Sequence, residues 1–149
     1  YALPFAASGW DVTVLDLPDA IEVLGDDLAA AGVAALGGDL LAGLPGGPWD
    51  AVYVGNVTHL FDAEVARDLV RRAGEAVRPG GTLAVQEVVR GLSTPGHLFA
   101  VTMLLSTDGG DTHTEADYRA WMGEAGCPVQ RVVELSGGDH HLFLGARAA

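Results

Sequence analysis

Lysine is absent from this sequence of 149 residues, and all 8 of its basic residues are arginines. Without lysine a protein cannot form a Schiff base, use a lysine as a general base, or build a P-loop, whose lysine reaches the phosphates of a nucleotide. The net charge of −12 argues against a nucleic-acid partner, because phosphate binding depends on clustered Lys and Arg. These absences exclude a large part of the known enzyme classes.

Cysteine and long apolar runs are also scarce. The single cysteine, Cys127, cannot form an internal disulfide, so a reducing compartment is expected. It follows Gly126 at a predicted helix end, which favours a packed structural thiol over a nucleophile. No apolar run approaches the roughly 18 residues of a membrane span, and the start at Tyr1 lacks the basic residues of a signal peptide. We therefore expect a cytoplasmic protein with no membrane partner.

Apolar residues make up 49% of the sequence, enough for the core of one domain over residues 1–149. Runs of β-branched residues predict strands at Asp11–Leu15, Val33–Leu36, Ala51–Val54, Thr82–Val89, Val129–Leu135 and His141–Ala146. Capping residues and apolar stripes predict helices at Pro18–Ala31, Asp62–Val77, Pro95–Leu105 and Thr114–Glu124. The segment Arg78–Gly81 is expected to end its helix and turn into the next strand. This alternation predicts a doubly wound α/β fold with a mostly parallel sheet, an antiparallel last strand and a C-terminal hairpin.

Two ionisable residues follow neighbouring strands of the predicted sheet. His59 comes after the strand Ala51–Val54, and Glu87 lies near the end of the next one. Strands joined through a right-handed crossover lie parallel, and the loops at their carboxyl ends open on one crevice. There a neutral imidazole could accept a proton from a substrate hydroxyl, and Glu87 could orient it and stabilise its charge. The alternatives are a partly buried structural histidine and a capping glutamate.

Two carboxylates follow the first two predicted strands. Asp16 stands where an acidic residue accepts the ribose hydroxyls of an adenosine in dinucleotide folds. Asp39 follows the next strand, where a carboxylate can read the edge of an adenine. Each residue has an alternative reading, as a solvated loop acid before Pro18 or as a turn residue after Gly37-Gly38.

Metal binding is not expected. His140 and His141 are adjacent in or beside a predicted strand, so their side chains point to opposite faces of the sheet. Asp108, Asp111 and His113 lie in a glycine-rich segment without a recognised ligand spacing.

Taken in order, five motifs resemble class I S-adenosylmethionine-dependent methyltransferases, in particular the small-molecule O-methyltransferase family of plant and bacterial secondary metabolism. They are Asp16-Leu17-Pro18, Gly38-Asp39, Gly55-Asn56-Val57-Thr58-His59, Arg78-Pro79-Gly80-Gly81 and Thr114-Glu115-Ala116-Asp117-Tyr118. The resemblance covers nearly the whole chain, and the ordered set is far more specific than any one motif. It implies a Rossmann-like methyltransferase fold with S-adenosylmethionine as cofactor.

The resemblance also implies roles for individual residues. Asp16 with Leu17 would bind the ribose, and Gly38, Asp39 and Leu40 would contact the adenine. The expected cofactor set is completed by Gly55 and Asn56. His59 would be the catalytic base, flanked by the acid Glu87. The substrate wall is expected to include Phe99, Met103 and Thr107.

The sequence departs from the family pattern in three ways. The usual His-Asp-Trp is His59-Leu60-Phe61, and the second flanking acid falls near Thr112, with Asp111 beside it. The first strand of the family, between those at Asp11–Leu15 and Ala51–Val54, and its Gly-x-Gly loop would precede Tyr1. We therefore expect an N-terminally truncated catalytic domain. The family's helical dimerisation domain would also lie upstream, which implies a homodimeric parent protein.

The resemblance implies methyl transfer from S-adenosylmethionine to a hydroxyl of a small, aromatic or polyketide-like molecule, with His59 as general base. Two alternatives stay open at this point. A nicotinamide-dependent oxidoreductase would use Asp16 on a ribose in the same way. A truncated methyltransferase domain without catalytic activity would only bind partners.

Overall fold

The structure is a computed structural model that describes residues 1–135 and 137–149, and over these residues it contains five α-helices and six β-strands. The helices are α1 (Ala2–Ala7), α2 (Pro18–Ala30), α3 (Ala63–Ala76), α4 (Gly96–Ser106) and α5 (Glu115–Glu124). The strands are β1 (Thr13–Asp16), β2 (Ala34–Gly37), β3 (Trp49–Gly55), β4 (Val77–Glu87), β5 (Val129–Glu134) and β6 (His141–Ala146). The chain forms two compact units, Tyr1–Leu44 and Pro45–Ala149. The expectation of one catalytic domain over residues 1–149 stays a prediction.

The first unit is built on one parallel strand pair. Strands β1 and β2 run parallel from Thr13↔Ala34 to Asp16↔Gly37, and α2 connects them. Pro18 occupies the first turn of α2, where its missing N–H leaves no hydrogen bond unmade. Over the described residues β1 pairs with β2 alone. The first strand that the family resemblance places beside β1 stays a prediction.

The second unit contains a four-stranded sheet in the order β3-β4-β6-β5. Strands β3 and β4 are parallel, β6 runs antiparallel to β4, and β5 pairs with β6 as the predicted hairpin. Helix α3 crosses from β3 to β4 and buries Leu69, Val70 and Ala73. These side chains share a core with sheet residues such as Leu83, Val85 and Phe143, which are fully buried. The α/β fold class with an antiparallel last strand is confirmed.

One predicted turn differs in the structure. The sequence pattern places the segment Arg78–Gly81 before its strand, whereas β4 already begins at Val77, which pairs with Trp49. The next pair is Ala51↔Thr82, so the four intervening residues form a bulge, in which Arg78, Pro79 and Gly80 are exposed and Gly81 is buried. The Gly80 N–H donates to the Arg147 carbonyl, and the Arg147 N–H donates to the Gly81 carbonyl. These two backbone hydrogen bonds hold the bulge against the end of β6. Pairing with a distant strand therefore overrides the local turn signal.

Membrane-spanning character is absent from the described helices: over residues 1–135 and 137–149, none combines the length and the apolar composition that crossing a bilayer requires.

The guanidinium of Arg147 caps the carboxyl end of α3. Its Nη1 lies 2.7 Å from the carbonyl oxygens of Gly74 and Glu75 and 2.9 Å from that of Val77. The last carbonyls of a helix have no partner within the helix, and a cation there also interacts favourably with the helix dipole. A residue just beyond β6 thus stabilises the crossover helix of the second unit.

We expect Arg147→Met to lower the free energy of unfolding by about 1–3 kcal/mol, because it removes charge-assisted hydrogen bonds from partly buried carbonyls. Urea denaturation monitored by circular dichroism measures the change. The matched control is Arg119→Met, which removes an exposed ion pair with Glu115 on α5 and should cost less than about 0.5 kcal/mol. Equal losses in the two variants would show that the cap does not stabilise the fold.

Candidate active site

The carboxyl ends of β3 and β4 lie side by side because the two strands are parallel, with Gly55 opposite Gln86. After Gly55 the chain turns at Asn56, whose φ of 56° lies in the left-handed region that asparagine tolerates better than most residues. The N–H of Asn56 donates to the carbonyl of Gln86 at 2.9 Å. This turn directs the following segment, including the 3₁₀ turn Thr58–Leu60, across the end of β4.

Glu87, the last residue of β4, is fully buried and accepts four hydrogen bonds. Its Oε1 accepts from the backbone N–H groups of Val57 and Thr58, each at 2.7 Å, and from the Thr58 hydroxyl at 3.0 Å. Its Oε2 lies 2.8 Å from Nδ1 of His59. A carboxylate only accepts hydrogen bonds, so this set of donors satisfies it. The structure therefore brings together the two residues that the sequence singled out as base and acid.

The hydrogen-bond network extends beyond Glu87 to residues that the sequence patterns did not reveal. The Thr58 hydroxyl lies 2.8 Å from the phenol oxygen of Tyr118 on α5, and both residues are fully buried. The Thr58 carbonyl lies 3.2 Å from Nε2 of His113. Burial, reinforced by the nearby Glu87, raises the pKa of Tyr118 well above its usual value, so its phenol keeps its proton. The only sequence signals were a threonine beside His59 and a tyrosine four residues after a helix cap.

The imidazole of His59 lies at the edge of the buried network. Its side chain is 12% exposed, and its ring meets that of Phe99 edge to face with the centroids 5.0 Å apart. The contact with Phe99 places one residue of the expected substrate wall beside the expected base. A ring that is buried on its Nδ1 side and partly accessible elsewhere can exchange a proton with a bound molecule.

The segment after α4 is hydrogen-bonded to the backbone of His59. It contains Asp111 and Thr112, where the family resemblance places a second acid. The N–H of Asp111 donates to the His59 carbonyl at 3.1 Å. The Asp111 carboxylate instead pairs with Arg90. Burial alone would raise the pKa of Asp111, but the Arg90 guanidinium and the Thr112 N–H hold it below its usual value. Thr112 is buried and donates to the Gly96 carbonyl. Glu87 is thus the carboxylate that contacts His59 in the described structure.

A shallow pocket of about 230 Å³ lies between α4 and this segment. Its lining residues are Ala100, Val101, Leu104, Gly109, Gly110 and Asp111. Two of the expected wall residues make contacts inside the protein. Met103 is largely buried, and the Thr107 hydroxyl accepts from the Gly110 N–H and donates to the Met103 carbonyl. Of the three expected wall residues, Phe99 is the one that contacts His59.

The expected ribose and adenine residues lie in the first unit, at the carboxyl ends of β1 and β2. Asp16 is exposed, and its Oδ1 accepts from the Leu17 N–H at 2.8 Å. The Gly38 N–H donates to the Asp16 carbonyl at 2.9 Å, which ties the two loops together. Asp39 is also exposed and accepts from the Leu41 N–H. Both carboxylates are accessible, as binding to sugar hydroxyls or an adenine edge requires. Leu40 follows on the second loop, while Gly55 and Asn56 belong to the second unit.

Histidine and acidic residues do not cluster as metal ligands: in the described part of the chain, no group of three or more His, Cys, Asp or Glu could hold a metal ion. His141 is buried, with Nδ1 3.2 Å from the Ser93 hydroxyl, and His140 is half-buried. His113 contacts the Thr58 carbonyl and packs edge to face on Trp121.

Exposed carboxylates follow β1 and β2 in the first unit, and an imidazole–carboxylate pair lies at the ends of β3 and β4 in the second unit. Polar residues at the carboxyl ends of parallel strands are typical of α/β folds that bind ligands at that edge of the sheet. A family model for the O-methyltransferase domain matches residues 5–128, and the chain belongs to this family.

Relatives with known names agree with this assignment. The S-adenosyl-L-methionine-dependent methyl transferase PigF of a Serratia species is 28% identical over 145 residues. The 3-hydroxy-5-methyl-1-naphthoate 3-O-methyltransferase of Streptomyces sahachiroi is 31% identical over 146 residues. Each comparison covers 91% of this chain and 42% of the relative. The chain thus spans less than half the length of the relatives that it matches.

Solved structures show the same fold. PigF with SAH superposes with a TM-score of 0.81 at 26% identity, covering 95% of this chain and 45% of that one. The apo form of the S-adenosylmethionine-dependent methyltransferase SibL also gives 0.81, at 25% identity, covering 99% and 47%. The predicted family, its methyltransferase fold and S-adenosylmethionine as the cofactor of that family are confirmed. The comparisons do not support the nicotinamide-dependent oxidoreductase.

We expect Gly110→Ala to lower the free energy of unfolding by about 1–3 kcal/mol, the usual cost of overpacking a filled site. A Cβ at this buried glycine would overlap the Thr107 hydroxyl and lie 2.7 Å from the His59 carbonyl oxygen. Urea denaturation measures the effect. Gly123→Ala on α5 is the control, since its Cβ would meet nothing within 4 Å. We expect the control to be neutral or stabilising by up to about 1 kcal/mol. If both variants are equally stable, the segment is not held against His59.

Proposed function

We propose that the protein containing this chain transfers a methyl group from S-adenosylmethionine to a hydroxyl of a small molecule, with His59 as general base. The contact between His59 and Glu87 carries the proposal. Family membership supports O-methylation, and the names of two relatives point in the same direction. The Streptomyces sahachiroi relative is a 3-O-methyltransferase of a hydroxynaphthoate, and one of Streptomyces glaucescens is a tetracenomycin polyketide 8-O-methyl transferase. We therefore infer an aromatic or polyketide-like acceptor.

The cofactor would be held by the residues at the strand ends. Asp16 and Leu17 would bind the ribose, and Gly38, Asp39 and Leu40 would contact the adenine. Gly55 and Asn56, where the backbone turns after β3, would complete the set. The exposed carboxylate of Asp16 and the hydrogen bond from the Gly38 N–H to the Asp16 backbone carbonyl support this assignment. When bound, S-adenosylmethionine supplies an electrophilic methyl group on a sulfonium, which is the chemistry that no side chain provides.

The acceptor hydroxyl becomes an effective nucleophile when its proton is removed. A phenol with a pKa of about 10 is mostly protonated at pH 7, so a base that takes its proton during attack accelerates the reaction. His59 would take that proton on the ring nitrogen that does not face Glu87. Glu87 would then stabilise the imidazolium, because its buried carboxylate lies 2.8 Å from Nδ1.

The acceptor would lie against α4. The ring of Phe99 packs on His59 and can align a flat acceptor beside it, and close alignment of two reacting groups lowers a barrier substantially. We assign Met103 and Thr107 to the same wall at its buried end, where they shape the segment that carries Gly110. A homodimeric parent, a cytoplasmic location and the absence of nucleic-acid or membrane partners stay predictions.

We expect His59→Ala to lower kcat by about 10²–10⁴-fold, the usual contribution of a positioned general base. Affinity for S-adenosylhomocysteine should change little, because His59 belongs to the acceptor side. Steady-state methylation of a hydroxylated aromatic compound measures the first quantity, and calorimetric titration measures the second. His97→Ala, at an exposed histidine of α4, is the control and should keep full activity. Equal turnover in His59→Ala and the unmodified protein would exclude the base role.

We expect Asp16→Asn to weaken binding of S-adenosylhomocysteine about 10- to 100-fold, since a hydrogen bond to a charged group contributes roughly 1.5–3 kcal/mol. Calorimetric titration measures the affinity, with Asp26→Asn on the exposed side of α2 as control. Parallel titration with NAD tests the oxidoreductase alternative. Binding of the cofactor without turnover on any hydroxylated acceptor would favour the domain that only binds partners. An unchanged affinity in Asp16→Asn would remove Asp16 from the cofactor site.

A further inference from the structure

Four buried or nearly buried polar side chains form a continuous hydrogen-bonded series that ends at the candidate base. The Tyr118 phenol lies 2.8 Å from the Thr58 hydroxyl, which lies 3.0 Å from Oε1 of Glu87. The other carboxylate oxygen, Oε2, lies 2.8 Å from Nδ1 of His59. Tyr118, Thr58 and Glu87 are fully buried, so water does not supply alternative partners for their polar atoms.

The direction of each hydrogen bond in this series follows from counting protons. The carboxylate can only accept, so the Thr58 hydroxyl donates its single proton to Glu87. Toward Tyr118 the same hydroxyl can then only accept, so the phenol must donate. Burial of Tyr118 raises its pKa and keeps this proton in place. Each group in the series thus has one role, and reversing any one bond would leave a buried donor or acceptor unsatisfied.

The same argument from donors and acceptors decides which nitrogen of the His59 imidazole carries the proton. A carboxylate oxygen faces Nδ1, so a neutral ring must carry its proton there, and Nε2 is left with its lone pair. The hydrogen bond at one ring nitrogen thereby decides which nitrogen is basic. Three donors on the segment Val57–Thr58 hold Oε1 and so keep Oε2 directed at His59.

Thr58 itself is held from two sides by residues near the start of α5. Tyr118 contacts its hydroxyl, and His113 contacts its carbonyl at 3.2 Å. His113 and Tyr118 both pack edge to face on Trp121, with centroids 4.9 and 5.4 Å from it. The position of the 3₁₀ turn that carries His59 therefore depends on an aromatic cluster on the opposite side of the network.

We propose that Thr58 and Tyr118 are positioning residues for the methyl transfer: they orient Glu87 so that His59 adopts the Nδ1–H tautomer and presents Nε2 to the acceptor hydroxyl. This inference rests on the proposed function of His59, but the predicted tautomer is a property of the His59 ring and does not require methyl transfer. Thr58 and Tyr118 touch no reacting atom in this scheme, and they act only through Glu87.

The first test is ¹⁵N NMR of the His59 imidazole in the 149-residue chain, without cofactor or acceptor and at a pH where the ring is neutral. In the unmodified chain we expect the ¹⁵N chemical shifts of a ring that carries its proton on Nδ1 and none on Nε2. An Nε2–H ring there would overturn the proposal without any variant. Because this measurement needs no methyl transfer, it separates the inference from the proposed function, which fails if the unmodified protein shows no turnover.

The second test removes the central hydroxyl. Thr58→Val keeps the shape of the side chain and should shift His59 toward a mixture of tautomers. It should also lower kcat by about 10- to 100-fold, the range found when outer partners of functional histidines are removed at metal sites. KM for the acceptor should stay nearly unchanged. Thr58→Ser keeps the hydroxyl, and we expect it to restore both the tautomer and kcat.

Tyr118→Phe gives an independent measurement, because it removes the phenol that donates to the Thr58 hydroxyl while retaining the aromatic packing on Trp121 and Phe143. We expect its kcat and tautomer ratio to lie between those of the unmodified protein and Thr58→Val. Thermal melting confirms that each variant is folded before it is compared. An unchanged His59 tautomer with unchanged kcat in folded Thr58→Val, or in folded Tyr118→Phe if the former does not fold, would overturn the proposal.

Discussion

The buried carboxylate of Glu87 is the constraint on which the candidate site depends. An ionised group removed from water is costly unless it is paired and hydrogen-bonded. Here the segment after β3 supplies the donors: two backbone N–H groups, the Thr58 hydroxyl and the His59 ring. The position of the candidate base is therefore a consequence of satisfying one charge, and the left-handed turn at Asn56 is what lets the segment reach it.

Parallel pairing of β3 and β4 makes this arrangement possible. In a parallel pair joined by a crossover helix, both strands end at the same edge, so the loop leaving one strand can contact the last residue of the other. Helix α3 completes the crossover, and Arg147 caps its carboxyl end from just beyond β6. The same geometry in the first unit brings the loops after β1 and β2 together, where Asp16 and Asp39 remain exposed.

Sequence patterns predicted the elements well and their ends less well. The six strands and four of the helices lie where periodicity, capping residues and breakers indicated, because those signals are local. Thr114 and Asp117 form a capping box at the start of the helix that the sequence predicted from Thr114. The exception is Arg78–Gly81, whose Pro and Gly residues indicate a turn, whereas pairing of Val77 with Trp49 starts the strand earlier. Tertiary pairing outweighed local preference there.

The sequence by itself determined the α/β alternation, the helix caps and the placement of Asp16, His59 and Glu87 at strand ends, since these depend on residues close together in the chain. Only the tertiary structure decided that Asp111 pairs with Arg90 and not with His59, and that Tyr118 reaches Thr58 across 60 positions of sequence. The contact between Tyr118 and Thr58 depends on how α5 packs within the second unit. Periodicity describes one element at a time and carries no information about which distant side chains will meet.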